Sequence, residues 1–156
     1  MLTEMKVQGI TIDPLTNEPI LVLRDASTDN ILPVWIGVLE ARAIAAEMEK
    51  IRFSRPMTHD LIINILKDVR VKVEKIEVTD LRDSVYYACI HMGTDEGHVV
   101  VDSRPSDAIA LALRMSAPIY VESKLLRKAG HDAEGGKEYL DAFERHTPSE
   151  YGKYKM

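Results

Sequence analysis

The amino-acid sequence predicts one α+β domain, in which helices pack on a mixed, largely antiparallel sheet. A chain of 156 residues, 46% of them hydrophobic, is long enough to bury a core without disulfides or metals. Strand-like alternation dominates the pattern and is interrupted by segments with helical spacing. The turns between the strands are short, which favours antiparallel pairing. The predicted order is three strands, two helices, three strands, one helix, one strand and a last helix.

The first three predicted strands form an antiparallel meander. They cover residues 5–13, 19–23 and 31–36, and turn-forming residues separate them. Helical spacing begins after Gly37, and the helix expected over residues 40–50 has an apolar stripe with the spacing of one helix face. This stripe consists of Ala41, Ile44, Ala45 and Met48. Its alanines allow close packing against a neighbour.

The second predicted helix has Thr58 as its N-cap, and Asp60 lies in its first turn, where the helix dipole favours a negative charge. Strands follow over residues 71–78 and 85–92, and then a short buried strand over 99–101. Ser106 is the expected N-cap of a third helix, which is apolar nearly all round and therefore buried.

The end of the chain is predicted to differ from the rest. A last strand at 118–121 and a short helix at 125–129 complete a domain that covers residues 1–130. Residues 131–156 are polar and contain no strong strand pattern, so we expect an extension that is partly helical or disordered.

Charge and cysteine content restrict the function. Twenty Lys and Arg side chains stand against 25 Asp and Glu, and the formal net charge is −5. This is the wrong sign for general electrostatic binding of nucleic acid, which would need a local basic patch. Cys89 is the only cysteine, so an internal disulfide is excluded. Its place in a predicted strand favours an inert packing thiol.

The sequence also predicts where the protein works. The N-terminus has neither the basic start nor the apolar run of a secretory signal. No uninterrupted apolar stretch approaches the roughly 20 residues that cross a bilayer. We therefore expect a cytoplasmic protein with no membrane partner.

Polar side chains cluster beside the starts of the predicted helices and suggest phosphodiester chemistry. Carboxylates could hold Mg²⁺ or Mn²⁺, which prefer oxygen ligands and would activate a water molecule. A histidine could act as general acid or base, and arginines could bind phosphate. The candidate catalytic residues are Glu40, His59, Asp60, Asp102 and Arg104, with Asp60 and Asp102 as the metal ligands. The candidate substrate-binding residues are Arg52, Arg55, Thr58, Ser106, Asp107 and Arg114.

A purely structural explanation of the same residues stays open. Thr58 and Ser106 are preferred helix caps, and aspartates in a first turn are stabilised by the helix dipole. The arginines could pair with those aspartates and fix the loops. His91, His98, His131 and His146 are scattered, and no pair has the spacing of metal ligands. A nuclease, a binding module for a small anion and a protein-interaction scaffold are therefore the competing functions.

Three segments, residues 33–41, 55–61 and 101–114, resemble the bifunctional nuclease domain family and occur in the family's order. The likeness covers about residues 5–130. This family includes bacterial and archaeal proteins and plant proteins linked to wound responses. The resemblance implies an α+β domain with a mixed sheet, self-association as a homodimer or higher homo-oligomer, and activity on both DNA and RNA. The helix-start residues from Glu40 to Arg114 occupy the family's polar motif positions.

Overall fold

The computed structural model of the protein describes residues 1–128. Its elements in chain order are β1 (Leu2–Ile12), β2 (Pro19–Asp25), β3 (Asn30–Trp35), α1 (Val38–Met48), α2 (Thr58–Asp68), β4 (Lys72–Arg82), β5 (Val85–Thr94), β6 (Gly97–Ser103), α3 (Pro105–Met115), β7 (Ile119–Glu122), a 3₁₀ turn (Ser123–Leu125) and β8 (Arg127–Lys128). The predicted α+β class is confirmed. The predicted extension over 131–156 lies outside the described residues.

The strands form one mixed sheet in the order β6-β5-β4-β7-β1-β2-β3-β8. Two antiparallel meanders, β1–β2–β3 and β4–β5–β6, form its two halves. The short strand β7 joins them, because it pairs antiparallel with β1 and parallel with β4. Because of this parallel pair the observed sheet is mixed, as predicted.

The three helices pack on one face of this sheet, and the core lies beneath them. On α1 the alanines of the predicted stripe, Ala41 and Ala45, are buried. On α3 the run from Ala108 to Ala112 is buried throughout, as the all-round apolar pattern predicts. Small side chains on both helices bring α1 and α3 close together, and this places the start of α3 beside the start of α1.

Several local predictions are wrong. Thr58 is the first residue of α2, and the N-cap is Met57, whose backbone N–H donates to Asp60 Oδ2 at 3.1 Å. Arg104 is the N-cap of α3, because Pro105 lacks an N–H and therefore suits the first helical position. Ser106 then lies in the first turn and is buried.

Two further differences concern the end of the domain and the edge of the sheet. The expected helix at 125–129 is a 3₁₀ turn that ends at Leu125, and the chain then pairs with β3 through β8. The strand expected to be buried, β6, is a sheet edge with exposed valines. An edge strand has a neighbour on one side only, and so its apolar side chains are less covered than the pattern suggests.

Candidate functional site

The first turn of α2 presents two adjacent polar side chains to two different parts of α3. His59 Nε2 lies 3.0 Å from Asp107 Oδ1 at the start of α3. Asp60 Oδ1 accepts a 2.8 Å hydrogen bond from Arg114 Nε near its end. Consecutive helical residues point about 100° apart, and Asp107 and Arg114 are separated by about two turns. The start of α2 therefore lies across α3, between these two partners.

Arg104 extends the first of these contacts to α1. Its Nε donates to Asp107 Oδ2 at 2.8 Å, and its Nη1 donates to Glu40 Oε1 at 2.9 Å. Asp107 thus holds His59 with one oxygen and Arg104 with the other. The polar chain that runs from His59 through Asp107 and Arg104 to Glu40 joins the starts of all three helices. We call it the helix-start chain.

Electrostatics explains the protonation of this chain. Burial alone would raise the pKa of Asp107, but the hydrogen bonds from Arg104 and His59 outweigh it and lower the pKa. The hydrogen bonds to Asp107 and Glu40 raise the pKa of Arg104. Asp107 is therefore ionised near neutral pH and places a negative charge beside the His59 ring. A histidine held by a carboxylate in this way has a fixed ring orientation.

Glu40 is positioned by the start of its own helix. It lies in the first turn of α1, whose N-cap is Gly37. Its carboxylate occupies the space that a side chain at Gly37 would fill. A glycine at this position therefore lets Glu40 fold back against the helix start and meet Arg104.

The second contact, between Arg114 and Asp60, is a structural junction of the three helices. Only 7% of the Arg114 side chain is exposed. Besides Asp60, its guanidinium donates to the Ala110 carbonyl at 2.9 Å and the Ala43 carbonyl at 3.1 Å. Burial would raise the pKa of Asp60, but the hydrogen bonds from Arg114 and the Met57 N–H lower it. Both oxygens of Asp60 thus accept hydrogen bonds within the fold.

A cleft of about 750 Å³ borders the helix-start chain. Its floor is apolar and comes from α2, α3 and the inner face of the β5–β6 hairpin, and residues of the loop between α1 and α2 form a wall. The floor and wall include Phe53, Ile62, Leu66, Ile90, Met92, Val101 and Leu111. His59, Arg104 and Asp107 lie at the polar end. This combination suits a ligand with both an apolar or aromatic part and an anionic part.

The structure distributes the predicted site residues unevenly around this cleft. Glu40, Thr58, His59, Arg104, Asp107 and Arg114 border it. Ser106 is buried in α3 and is not among the lining residues. Arg52 lies on the surface and donates to Glu47 Oε2 at 3.1 Å, and Arg55 is exposed in the same loop. Neither arginine borders the cleft.

The two predicted metal ligands lie in different surroundings. Asp102 borders the cleft through its place on β6, but it is directly opposite Cys89 on β5, while Val101 is opposite the buried Ile90. Side chains alternate along a strand, so that of Asp102 lies on the face opposite the helices. Asp60 lies on the helix face and is held by Arg114. This arrangement does not bring the two carboxylates together.

Sequence reasoning missed a second polar group on the outer face of the sheet. Glu77, Cys89 and His91 are the one set of three potential metal ligands within residues 1–128, with ligand atoms that all lie within 4.8 Å of one another. His98 lies on β6, across the β5–β6 hairpin, and its Nε2 is 3.1 Å from His91 Nδ1. The sequence did contain one signal for this group. Cys89 and His91 are two residues apart in a predicted strand, and this spacing places both side chains on one face of the sheet.

We expect the fold to lose stability in acid through Asp60 and Asp107. Both have a lowered pKa, so each contributes stability that is fully present above the unfolded-state pKa of about 3.9 and is lost as the pH falls through the folded-state pKa. Urea unfolding from neutral pH down to about pH 2 measures this. In Asp60→Asn, the free energy of unfolding should fall less steeply with decreasing pH than in wild type. An unchanged slope in the variant would contradict the assignment of Asp60.

Comparison with known proteins agrees with the motifs in this site. The profile of the bifunctional nuclease domain matches residues 21–134. An uncharacterized protein of Mycobacterium tuberculosis is 39% identical over 127 residues, which cover 81% of this chain and 76% of that protein. Bifunctional nuclease 1 of Oryza sativa subsp. indica is 23% identical over 121 residues, and bifunctional nuclease 1 of Arabidopsis thaliana is 26% identical over 127. These alignments cover 76% and 79% of this chain but 37% and 39% of the plant proteins.

Proposed function

This chain belongs to the bifunctional nuclease domain family, and on that premise we propose that it cleaves phosphodiester bonds of DNA and RNA with little sequence specificity. The observation that carries the proposal is His59, held 3.0 Å from Asp107 at the wall of a large cleft. The helix-start chain would be the catalytic group, and the cleft would receive the nucleotide next to the cleaved bond.

Hydrolysis of a phosphodiester needs a base for the attacking water and a cation for the phosphate charge. His59 would take the proton of the attacking water, and Asp107 would stabilise the imidazolium that forms. As the P–O bond to the leaving group breaks, solvent water would protonate the departing oxygen. Arg104 uses Nε and Nη1 for its two carboxylates, which leaves Nη2 to contact a phosphate oxygen. Most of the Arg104 side chain is exposed, so a substrate can reach it.

Divalent metal assistance is a separate part of the proposal. Since Asp60 and Asp102 lie in different surroundings, they do not support a shared Mg²⁺ or Mn²⁺ ion. The oxygens at the polar end of the cleft, on Glu40 and Asp107, are of the type these ions prefer, although Arg104 already contacts both. We propose that His59 supplies the acid–base chemistry and that a divalent ion, where one is required, neutralises phosphate charge.

The cleft wall could hold a nucleobase of the substrate without distinguishing one nucleobase from another. Phe53 lies on the wall, and an aromatic side chain stacks on any base at about 1–3 kcal/mol. Arg52 and Arg55 lie in the same loop and would follow the sugar-phosphate backbone outside the cleft. Stacking and backbone contacts do not distinguish sequence, nor DNA from RNA, and this supports the proposed activity on both.

The apolar floor of the cleft favours a second candidate function. A volume of about 750 Å³ is typical of a small-molecule site, and the two carboxylates at its polar end, on Glu40 and Asp107, oppose a long polyanion. In this case the protein is a binding module for a small anionic or phosphorylated ligand and has no catalytic role. A protein-interaction scaffold is the third possibility, in which the helix-start chain only holds the fold.

The first experiment is cleavage of labelled single-stranded and duplex DNA and RNA with Mg²⁺, with Mn²⁺ and with chelator. Wild type, Asp107→Asn and Asp68→Asn are purified identically. The last variant is the matched control, because it removes the same charge from an exposed position of α2. We expect Asp107→Asn to lose cleavage and Asp68→Asn to keep it.

The other outcomes separate the alternatives. Equal cleavage by all three preparations identifies a contaminating nuclease and overturns the proposal. Absence of cleavage, together with thermal stabilisation of wild type by a mononucleotide that Asp107→Asn abolishes, supports the binding module instead. Absence of both leaves the scaffold.

We also propose that the protein self-associates through β6. This edge strand carries three consecutive exposed valines, Val99, Val100 and Val101. An exposed, apolar edge presents unpaired backbone groups and recruits another strand. Light scattering after size exclusion should show a dimer or larger species for wild type and a shift toward monomer for Val100→Lys. A monomeric wild type, or a variant of unchanged mass, would contradict this interface.

Within residues 1–128, none of the helices has the length and apolar character that spanning a bilayer requires. The cytoplasmic location stays a prediction.

A further inference from the structure

The outer face of the sheet, opposite the helices, carries a group of side chains that the proposed nuclease does not use. On β5, Ile90 and Met92 face the cleft, so the alternate residues Cys89 and His91 lie on the other face. Glu77 on β4 is directly opposite Cys89 in the antiparallel register. We call Glu77, Cys89 and His91 the outer-face triad.

The spacing of the triad fits one metal ion. His91 Nε2 lies 3.4 Å from Cys89 Sγ and 3.3 Å from Glu77 Oε2. For a tetrahedral Zn²⁺ with bonds of about 2.0–2.3 Å, neighbouring ligand atoms are separated by roughly 3.3–3.6 Å. All three ligand atoms lie within 4.8 Å of one another. We propose that the outer-face triad binds a Zn²⁺-type ion through one sulfur, one nitrogen and one oxygen atom.

Hydrogen bonds behind His91 orient it for this role. Glu74 Oε2 lies 3.1 Å from His98 Nδ1, and His98 Nε2 lies 3.1 Å from His91 Nδ1. With both rings neutral, His98 Nδ1–H donates to the Glu74 carboxylate and His98 Nε2 accepts from His91 Nδ1–H. In this arrangement the lone pair of His91 Nε2 faces the triad and is available to a metal ion. A ligating histidine whose other nitrogen is held in this way is typical of metal sites.

The ligand set indicates which ion would bind. A thiolate and an imidazole select Zn²⁺ and similar borderline ions over Mg²⁺, which prefers oxygen ligands only. Zn²⁺ binds cysteine as the thiolate, so Cys89 would release its proton when the ion binds. Lys75 Nζ, 2.6 Å from Glu77 Oε1, leaves Oε2 for the ion. Three protein ligands leave a fourth position for water.

The test is a titration of the chelator-treated full-length protein with Co²⁺, which reports on sulfur coordination. We expect one equivalent to produce a thiolate-to-cobalt charge-transfer band and visible bands of tetrahedral Co²⁺, and we expect Zn²⁺ to displace them. Cys89→Ser should lose the charge-transfer band. Asp68→Asn, on a helix packed on the opposite face, is the control and should titrate like wild type.

A second pair of variants leaves all three ligands in place. His98→Ala removes the partner of His91 and should weaken Co²⁺ binding by about 10–100-fold with the spectrum retained. At Gly93 an added Cβ would lie 2.5 Å from Glu74 Oε1, so Gly93→Ala should displace Glu74 from His98. This variant should therefore also weaken Co²⁺ binding. Wild type without a thiolate band, or wild type and Cys89→Ser with the same titration curve, overturns the site. These readouts do not depend on nuclease activity.

Discussion

Replacing His59 by alanine should reduce cleavage by about 10²–10⁴-fold while the fold persists. This is the usual contribution of a positioned general acid or base. His59 contacts α3 through Asp107, but Asp107 keeps its second partner Arg104 in the variant. The variant therefore loses the contact at His59 but keeps those of Arg104 with Asp107 and Glu40. Initial rates at saturating and limiting DNA and RNA give the kcat and KM effects separately.

Chemical rescue distinguishes catalysis from positioning at His59. The removed ring opens space at the wall of a cleft of about 750 Å³, into which free imidazole can diffuse. Added imidazole should restore part of the activity of His59→Ala and should have no effect on Asp107→Asn, whose own histidine is present. Asn64→Ala, at an exposed position of the same helix, controls for general changes in α2. Unchanged activity of His59→Ala would remove His59 from the mechanism.

Replacing Arg114 by methionine should have the largest effect on stability. The substitution leaves the carbonyls of Ala43 and Ala110 and the carboxylate of Asp60 without their donor. Breaking a fully buried ion pair costs about 3–5 kcal/mol, but Asp60 is 35% exposed and regains some hydration. We therefore expect the free energy of unfolding to fall by about 2–3 kcal/mol, measured by urea denaturation.

A double-mutant cycle with Asp60→Asn tests the reason for this loss. If the ion pair is the cause, the two single variants and the double variant should show a coupling energy of about 0.5–3 kcal/mol. Lys67→Met, which removes an exposed cation from α2, should be nearly neutral. Additive effects of the two substitutions would show that Arg114 acts through its backbone acceptors alone. A stable but inactive Arg114→Met would instead favour a role in binding substrate.

The elements were predictable because their signals are local. Alternation and turn residues predicted the first meander and the three strands of the second, and the apolar patterns predicted α1 and α3. The start of α3 was misjudged because Ser106 is a good N-cap by composition, and yet Pro105 at the first helical position moves the cap to Arg104. The exposure of β6 was missed because three valines have the same pattern in a buried strand and at a sheet edge.

The sequence indicated several side chains of the candidate site but not the contacts between them. The polar residues at the helix starts were identified, and His59, Arg104 and Asp107 do come together. The pairing of Asp60 with Arg114, across 54 residues, depends on how α2 crosses α3. The separation of Asp60 from Asp102 depends on the register of β6 against β5. No local pattern encodes either, since both arise from tertiary packing.

The position of β7 has a consequence for synthesis of the chain. This strand of four residues joins the two meanders, but it is made after all three helices and six of the seven other strands. A growing chain on the ribosome can form each hairpin in order, but it cannot close the sheet until Ile119–Glu122 has emerged. Until then β1 and β4 are both unpaired edges, separated in sequence by about half the domain. Folding should therefore wait for a late and distant contact, and a chain that stops before β7 should aggregate.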